Sequence, residues 1–189
     1  MRGLNGNWNH GTIYSSPITK LLISNTYPLL KDRVVELELE EEHWIYTDQE
    51  KKEGITVSLI DASNHCPGAA MFLFKGPKIG TVLHTGDFRY TEKFFKNPFL
   101  FPPERFNENK EAISIDVDLL YLDNTFATKT VDFPSQEEAY QLLKRIVKNH
   151  KNYRVFVFTY LLGKEEVLLN LADEFETLVS LFYCSDSCG

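Results

Sequence analysis

The chain has 189 residues, of which 43% are hydrophobic and 13% aromatic. This length and composition suffice for a buried core, and they predict one domain or one domain with the beginning of another. The net charge of −7 and the pI near 5.3 argue against a protein that holds nucleic acid through an overall positive field. A local basic cleft or bound metal ions would still attract phosphate, so charge alone does not exclude a nucleic-acid enzyme.

Cysteine usage and hydropathy restrict the compartment. The three cysteines, Cys66, Cys184 and Cys188, lack the even spacing of a disulfide framework, which favours a reducing compartment. No apolar stretch approaches the length of a membrane span, and the first residues lack the apolar core of a signal peptide. We therefore expect neither secretion nor a membrane partner.

The first elements are a strand, a helix and a second strand. A short strand over 11–15 leads to Ser16, which can cap a helix that Pro17 starts and that runs to about Ile23. Residues 34–39 then alternate between apolar and acidic side chains, as a half-buried strand does. Its carboxylates are interpreted as a solvated face rather than a metal site: Glu36, Glu38 and Glu40.

A hairpin follows, and it places two polar loops together. The apolar runs Ala69–Phe74 and Thr81–Leu83 are joined by Gly76-Pro77-Lys78, a turn composition that favours a hairpin. The hairpin begins at His65 and ends at Asp87. Because a short turn ties its strands, their outer ends come together, and the sequence predicts that these two side chains approach one another.

The remainder alternates between strands and helices. Residues 94–111 have no period and are predicted to be a surface excursion, whereas 117–122 form a strand that ends at Asp123. A capping box, with Ser135 followed by Glu138, starts an amphipathic helix. A strand over 155–158 and a helix over 164–175 follow. The order of elements predicts an α/β or α+β layered fold.

His65 and Asp87 are the candidate metal ligands. Each lies on a glycine-bearing loop at the end of an apolar strand, where a hydrolytic metal can be held. Two donors are fewer than the three protein ligands usual for catalytic zinc, and a lone histidine is more often structural. Cys66 is interpreted as a small buried thiol, and Lys164 as either a phosphate contact at a helix start or a solvated lysine.

Several segments together resemble a known family. They are the runs 61–74 (containing Asn-His-Cys-Pro-Gly), 80–90 (containing Thr-Gly-Asp-Phe-Arg) and 120–125, with support from 14–19 and 163–165. The chain thereby resembles the DNA cross-link repair nucleases of the metallo-β-lactamase/β-CASP group, from its beginning to about residue 181. The pair of glycine-bearing motifs at this spacing is far more specific than a single short motif.

The resemblance implies a fold and two regions. Residues 1–160 would be a partial metallo-β-lactamase core, a four-layer αββα fold in its complete form, and 161–189 the start of a β-CASP region with an unmatched tail from about 182. The family's principal metal motif, His-x-His-x-Asp-His, would lie just before Met1. We therefore expect the chain to be truncated at both ends and inactive by itself.

The resemblance also implies a chemistry. Family members are metal-dependent phosphodiesterases, and the nearest are 5′ to 3′ exonucleases that act in interstrand cross-link repair and in DNA end or telomere processing. Their cofactor is one or two divalent metal ions, usually zinc, with magnesium possible; their partners are DNA with 5′-phosphorylated ends and repair or telomere proteins, in the nucleus.

Carried over by position, His65 and Asp87 would bind metal, and Asp123 would orient ligands or bind metal weakly. Lys164 and Glu165 would contact substrate. The alternatives are a non-catalytic remnant of the fold that binds a partner, and an RNA-processing nuclease of the same superfamily.

Overall fold

The structure is a computed structural model that describes residues 4–48, 50, 52–62, 64–109, 111, 113–130, 132–159 and 162–180. The chain forms two compact units, Met1–Thr125 and Phe126–Gly189. Strands and helices occur together, which confirms the mixed α/β class, while the four-layer arrangement and the β-CASP region stay predictions. In the part of the chain described, no helix has the length and apolarity needed to cross a bilayer.

The first unit begins with a parallel pair of strands around a helix. Strand β1 (Ile13–Ser15) leads into α1 (Pro17–Thr26), and a 3-10 helix (Pro28–Arg33) leads into β2 (Val34–Glu36), which pairs with β1. Ser16 caps α1 by accepting the Thr19 N–H, as predicted from the Ser-Pro pair. Strand β2 is shorter than predicted, because beyond it Leu39 makes only an isolated bridge, to Leu59.

A five-stranded sheet forms the rest of the first unit. Its strands follow chain order: β3 (Glu42–Tyr46), β4 (Gly54–Asp61), β5 (Ala70–Gly76), β6 (Gly80–His84) and β7 (Leu119–Tyr121). Neighbours are antiparallel except β6 and β7, which are parallel. The β5–β6 hairpin is thus confirmed, and the predicted strand before Asp123 forms as β7.

The core lies on both faces of β4 and β5. In the register of these strands Leu59 faces Phe72, and Ile60 faces Met71. Leu59 joins one apolar cluster and Ile60 the other, and both side chains are fully buried. Each such side chain contributes about 1.5–3 kcal/mol of burial free energy, so the central strands provide a rigid base for the loops at their ends.

The segment 94–111 corrects the sequence prediction. It was expected to be a surface excursion, but its first part packs on the sheet: Leu100 is buried in the cluster of Ile60, and Phe94, Phe99 and Phe101 pack against that cluster. The Ile115 N–H donates to the Leu100 carbonyl and fixes the segment there. Aromatic side chains cover apolar surface without any period, which is why pattern analysis missed the contact.

The second unit contains α2 (Gln136–Asn149) and α3 (Glu165–Glu174). The capping box of Ser135 and Glu138 forms as predicted, with both reciprocal hydrogen bonds. The strand predicted over 155–158 does not form, and Phe158 is 94% exposed. A strand exists only where another strand pairs with it, and the described residues provide no such neighbour. The predicted tail from 182, with Cys184 and Cys188, lies outside the described residues.

Candidate metal centre

Two loops at the outer end of the hairpin carry the predicted donors. His65 lies between β4 and β5, and Asp87 lies just after β6. Since these three strands are antiparallel neighbours, both loops leave the sheet at the same end of its strands. The distance from His65 Nε2 to Asp87 Oδ2 is 4.0 Å, with the side chains 43% and 82% exposed. The predicted approach of these two side chains is confirmed.

The His65 loop is closed by its own backbone. The His65 N–H donates to the Ala62 carbonyl at 2.9 Å, the Ala69 N–H to the Cys66 carbonyl at 3.0 Å, and the Ala62 N–H to the Ala69 carbonyl at 3.1 Å. Cys66 is half-buried within this turn, less enclosed than the buried thiol predicted. The three bonds define the shape of the loop, but none of them ties it to another element.

Contacts from α1 supply that tie. Ser16 Oγ donates to the Gly68 carbonyl at 2.7 Å, and Thr19 Oγ1 donates to the same oxygen at 3.0 Å. Gly68 has a φ of +82°, and a Cβ there would lie 2.8 Å from Thr19 Oγ1. Only glycine therefore allows both the backbone conformation and the close approach of the helix.

The Asp87 loop is joined to the His65 loop by an amide side chain. Asn64 Nδ2 donates to the Arg89 carbonyl at 2.6 Å. On the sheet side, the Gly86 N–H donates to His84 Nδ1 at 3.0 Å, and the His84 ring stacks on Tyr121 at 5.3 Å between centroids. His84 thus packs and hydrogen-bonds at the end of its strand.

Asp123 lies at the same end of the sheet. It follows β7, which runs parallel to β6, so its loop and the Asp87 loop leave neighbouring strands in the same direction. The Asp123 N–H donates to Thr85 Oγ1 at 3.0 Å, and the buried Thr85 donates its own N–H to the Tyr121 carbonyl at 2.9 Å. Asp87 and Asp123 line one recess of about 300 Å³.

The Asp123 carboxylate is stabilised as an anion. The Thr125 hydroxyl and then the Thr125 N–H donate to it and hold its pKa below the usual value, and a backbone bond involving Phe88 acts in the same direction. The nearby His65 lowers the pKa further, whereas partial burial opposes the shift. Asp123 therefore remains negatively charged at neutral pH beside the donor pair.

The donor pair fits part of a zinc shell. An imidazole nitrogen and a carboxylate oxygen are both common zinc ligands, and two such atoms on a tetrahedral ion lie about 3.4 Å apart. The observed 4.0 Å needs only a small closing movement of two exposed side chains. Among the described residues no group of three or more His, Cys, Asp and Glu side chains has metal-binding geometry. The role of Asp123, as an orienting group or a weak ligand, stays a prediction.

Lys164 and Glu165 belong to the second unit. Lys164 is the N-cap residue of α3, and Glu165 is its first residue. Glu165 accepts the Gly163 N–H at 2.9 Å, and Lys164 Nζ donates to the Gly163 carbonyl at 3.1 Å. Both side chains are therefore used locally at the start of the helix, and their substrate contacts stay predictions.

Known proteins are similar in sequence to this chain over nearly its whole length. No protein-family model matches it. It is 42% identical over 179 residues to the 5′ exonuclease Apollo of Danio rerio, covering 95% of this chain and 29% of that protein. The 5′ exonuclease Apollo of Rattus norvegicus is 38% identical, with coverage of 95% and 30%. The DNA cross-link repair protein SNM1 of Arabidopsis thaliana is 35% identical, with coverage of 90% and 32%.

The chain spans about a third or less of the length of these curated relatives, at 29%, 30% and 32%. Over at least 90% of its length, the chain belongs to the Apollo/SNM1 family.

Proposed function

We propose that this chain is part of a metal-dependent phosphodiesterase that degrades DNA from 5′ ends during cross-link repair. The single observation that carries the proposal is the 4.0 Å approach of His65 and Asp87 in a chain whose relatives are named 5′ exonuclease Apollo and DNA cross-link repair protein SNM1. The donor pair supplies hydrolytic chemistry, and the relatives' names supply the substrate.

The residues of the pair have distinct tasks in this proposal. A bound zinc ion supplies Lewis acidity and positive charge for the phosphate. His65 provides a neutral imidazole donor, and Asp87 an anionic donor that can contact two ions. Asp123, held ionised by Thr125, adds negative charge to the recess that it lines together with Asp87, and would orient the ligands there. All three must be deprotonated to act.

The finer assignments are part of the same proposal. Zinc is the cofactor that an N and O donor set favours, with magnesium as the alternative if oxygen ligands dominate the complete shell. A complete zinc shell would need at least one further protein ligand, and the family's histidine-rich motif, which does not occur in this sequence, is the expected source. The substrates are DNA molecules with 5′-phosphorylated ends, including telomeric ends. Lys164 and Glu165 contact this DNA. The protein acts in the nucleus with repair or telomere proteins.

One observation favours a second candidate. The described residues bring together two metal donors rather than three, so a protein that consists of this chain alone would hold metal weakly. Such a chain would act by binding a partner instead of by hydrolysis. Retained metal after dialysis distinguishes the two candidates, because a catalytic centre keeps its ion.

The decisive test uses the full-length gene product and an Asp87→Asn variant on 5′-phosphorylated duplex DNA labelled at either end. The substitution removes the anionic donor but not the surrounding loop. We expect the hydrolysis rate to fall by more than about a hundredfold, while DNA affinity stays within about threefold. Asp116→Asn is the matched control. Asp116 is an aspartate of the same unit whose side chain is 93% exposed and forms an ion pair with Arg105.

Three outcomes would contradict the proposal. Digestion from 3′ ends alone would reverse the assigned polarity. Activity on RNA with none on DNA would move the protein to RNA processing. Full activity of Asp87→Asn would remove the donor pair from the chemistry. The chain of 189 residues by itself, assayed in parallel, is expected to show no hydrolysis.

A further inference from the structure

The donor loops depend on three polar side chains that no metal or substrate contact explains. Ser16, the N-cap of α1, and Thr19, in the first turn of that helix, both donate to the Gly68 carbonyl, three residues after His65. Asn64, immediately before His65, donates to the Arg89 carbonyl, two residues after Asp87. These bonds connect elements 52, 49 and 25 residues apart in sequence, so they are not local turn bonds.

Two hydroxyl groups fix the Gly68 carbonyl against α1. One carbonyl oxygen accepts two hydroxyl protons, at 2.7 and 3.0 Å, and so uses both of its lone pairs. Ser16 is buried, and the glycine lets the helix approach to a distance that a Cβ would block. The end of the His65 loop is therefore anchored to a helix rather than exposed to water.

The amide of Asn64 acts at the other end of the same loop. Its bond of 2.6 Å connects the two donor-bearing segments directly. The His65 and Asp87 side chains are themselves 43% and 82% exposed, so contacts with surrounding side chains restrict them little. Sites of this kind need their ligands held within about 0.5 Å of the productive geometry, so the separation has to be set by the backbones that carry them.

We propose that Thr19, with Ser16, and Asn64 are positioning residues that set the distance between His65 and Asp87 and thereby the affinity for a divalent metal ion. This inference rests on the proposed function, since it assigns a role in the same metal centre. Thr19 and Ser16 fix the end of the His65 loop against α1, and Asn64 fixes its beginning against the Asp87 loop.

The principal test replaces Thr19 by Val in the full-length gene product, which keeps the branched shape and removes the hydroxyl. Zinc affinity is measured by competition with a chromogenic chelator, and amide exchange is followed for the segment 62–69. We expect zinc affinity to fall about threefold to tenfold, with faster exchange confined to that segment and an unchanged thermal midpoint. Thr19→Ser, which restores a hydroxyl, should recover most of the affinity.

Thr26→Val is the matched control. Thr26 is a threonine of the same helix whose hydroxyl donates to the Leu22 carbonyl at 2.8 Å, away from both donor loops. Its loss should change neither zinc affinity nor exchange in 62–69. Asn64→Ala should lower zinc affinity by about tenfold, because it releases the direct connection between the loops. The double variant with Thr19→Val should show non-additive losses, since both bonds constrain one loop.

The results separate this inference from the proposed function. If the wild-type protein binds zinc and degrades DNA, and Thr19→Val matches Thr26→Val in affinity and exchange, the positioning role is wrong although the function stands. If the wild-type protein neither binds zinc nor degrades DNA, the function is wrong and the metal-positioning role is overturned with it. A lower thermal midpoint in Thr19→Val that Thr19→Ser does not correct would reduce the residue to a structural one.

Discussion

The two units of the chain differ in how their apolar side chains are covered. Among the described residues, all buried apolar side chains except Leu171 belong to the first unit. In the second unit, α2 has no buried residue, and large side chains such as Phe158 and Leu178 are 94% and 95% exposed. Local signals suffice to start and stop helices, but a core and a site require pairing between distant segments.

The largest expected effect tests this difference directly. Leu59→Ala removes a fully buried side chain from the centre of the sheet and should lower the free energy of unfolding by about 2–5 kcal/mol. Leu169→Ala in α3 removes a side chain that is 65% exposed and should change it by less than about 0.5 kcal/mol. Urea denaturation followed by far-ultraviolet circular dichroism gives both values. Equal losses would mean that the second unit has a core of its own.

A smaller effect separates long-range contact from backbone conformation within the first unit. Gly68→Ala places a methyl group 2.8 Å from Thr19 Oγ1 at a φ of +82° and should cost about 2–3 kcal/mol. Gly86→Ala also has a positive φ, of +55°, but its nearest atom would lie at an ordinary 3.5 Å, so about 1–2 kcal/mol is expected. Thermal unfolding of both variants measures the difference. If the two alanines cost the same, the contact with α1 adds nothing.

The smallest effect concerns the local bonds of the second unit. Ser135→Ala removes the N-cap of α2 and should cost about 1 kcal/mol. The Ser135 backbone N–H and then its side chain lower the pKa of Glu138 from its ordinary 4.5. A lowered folded pKa means that the stability from this carboxylate is present above 4.5 and is lost as the pH falls through the folded value.

The pH dependence provides the measurement for that bond. The free energy of unfolding, measured by urea denaturation, should be higher for the wild type than for Glu138→Gln at neutral pH. This difference should disappear in acid, below the folded pKa of Glu138. Gln141→Ala removes another side-chain hydrogen bond of the same helix, which Gln141 donates to Glu137 at 2.7 Å, and shows how much such a bond contributes at each pH. An advantage that grows in acid would show that the carboxylate is not stabilised by the cap.

Sequence reasoning predicted what neighbouring residues determine. The β5–β6 hairpin, the cap at Ser16 and the capping box at Ser135 all follow from short patterns, and the hairpin alone brought His65 and Asp87 together. The prediction of a strand over 155–158 was wrong, because an apolar run indicates a preference for strand conformation but does not identify the neighbouring strand that must pair with it. The prediction for the segment 94–101 was wrong for the opposite reason. This segment packs against the sheet, but its sequence has no hydrophobic periodicity that would indicate the contact.

The supporting bonds of the donor loops were also missed. Ser16 was predicted only as a helix cap, and nothing in the sequence indicated that its hydroxyl reaches Gly68, 52 residues away. Asn64 was quoted in the motif without a role. Bonds from a side chain to a distant backbone carbonyl depend on the completed fold, so they leave no spacing to detect.

The positions of the two tryptophans have a practical consequence. Trp8 packs on the cluster of Ile23, Leu30 and Val34, and Trp44 lies on the edge strand β3, so both belong to the first unit, and the second unit contains none. Intrinsic fluorescence excited at the tryptophan band therefore reports on the first unit alone. A change in the helical circular dichroism signal without a change in tryptophan emission would therefore indicate a change in the second unit, Phe126–Gly189.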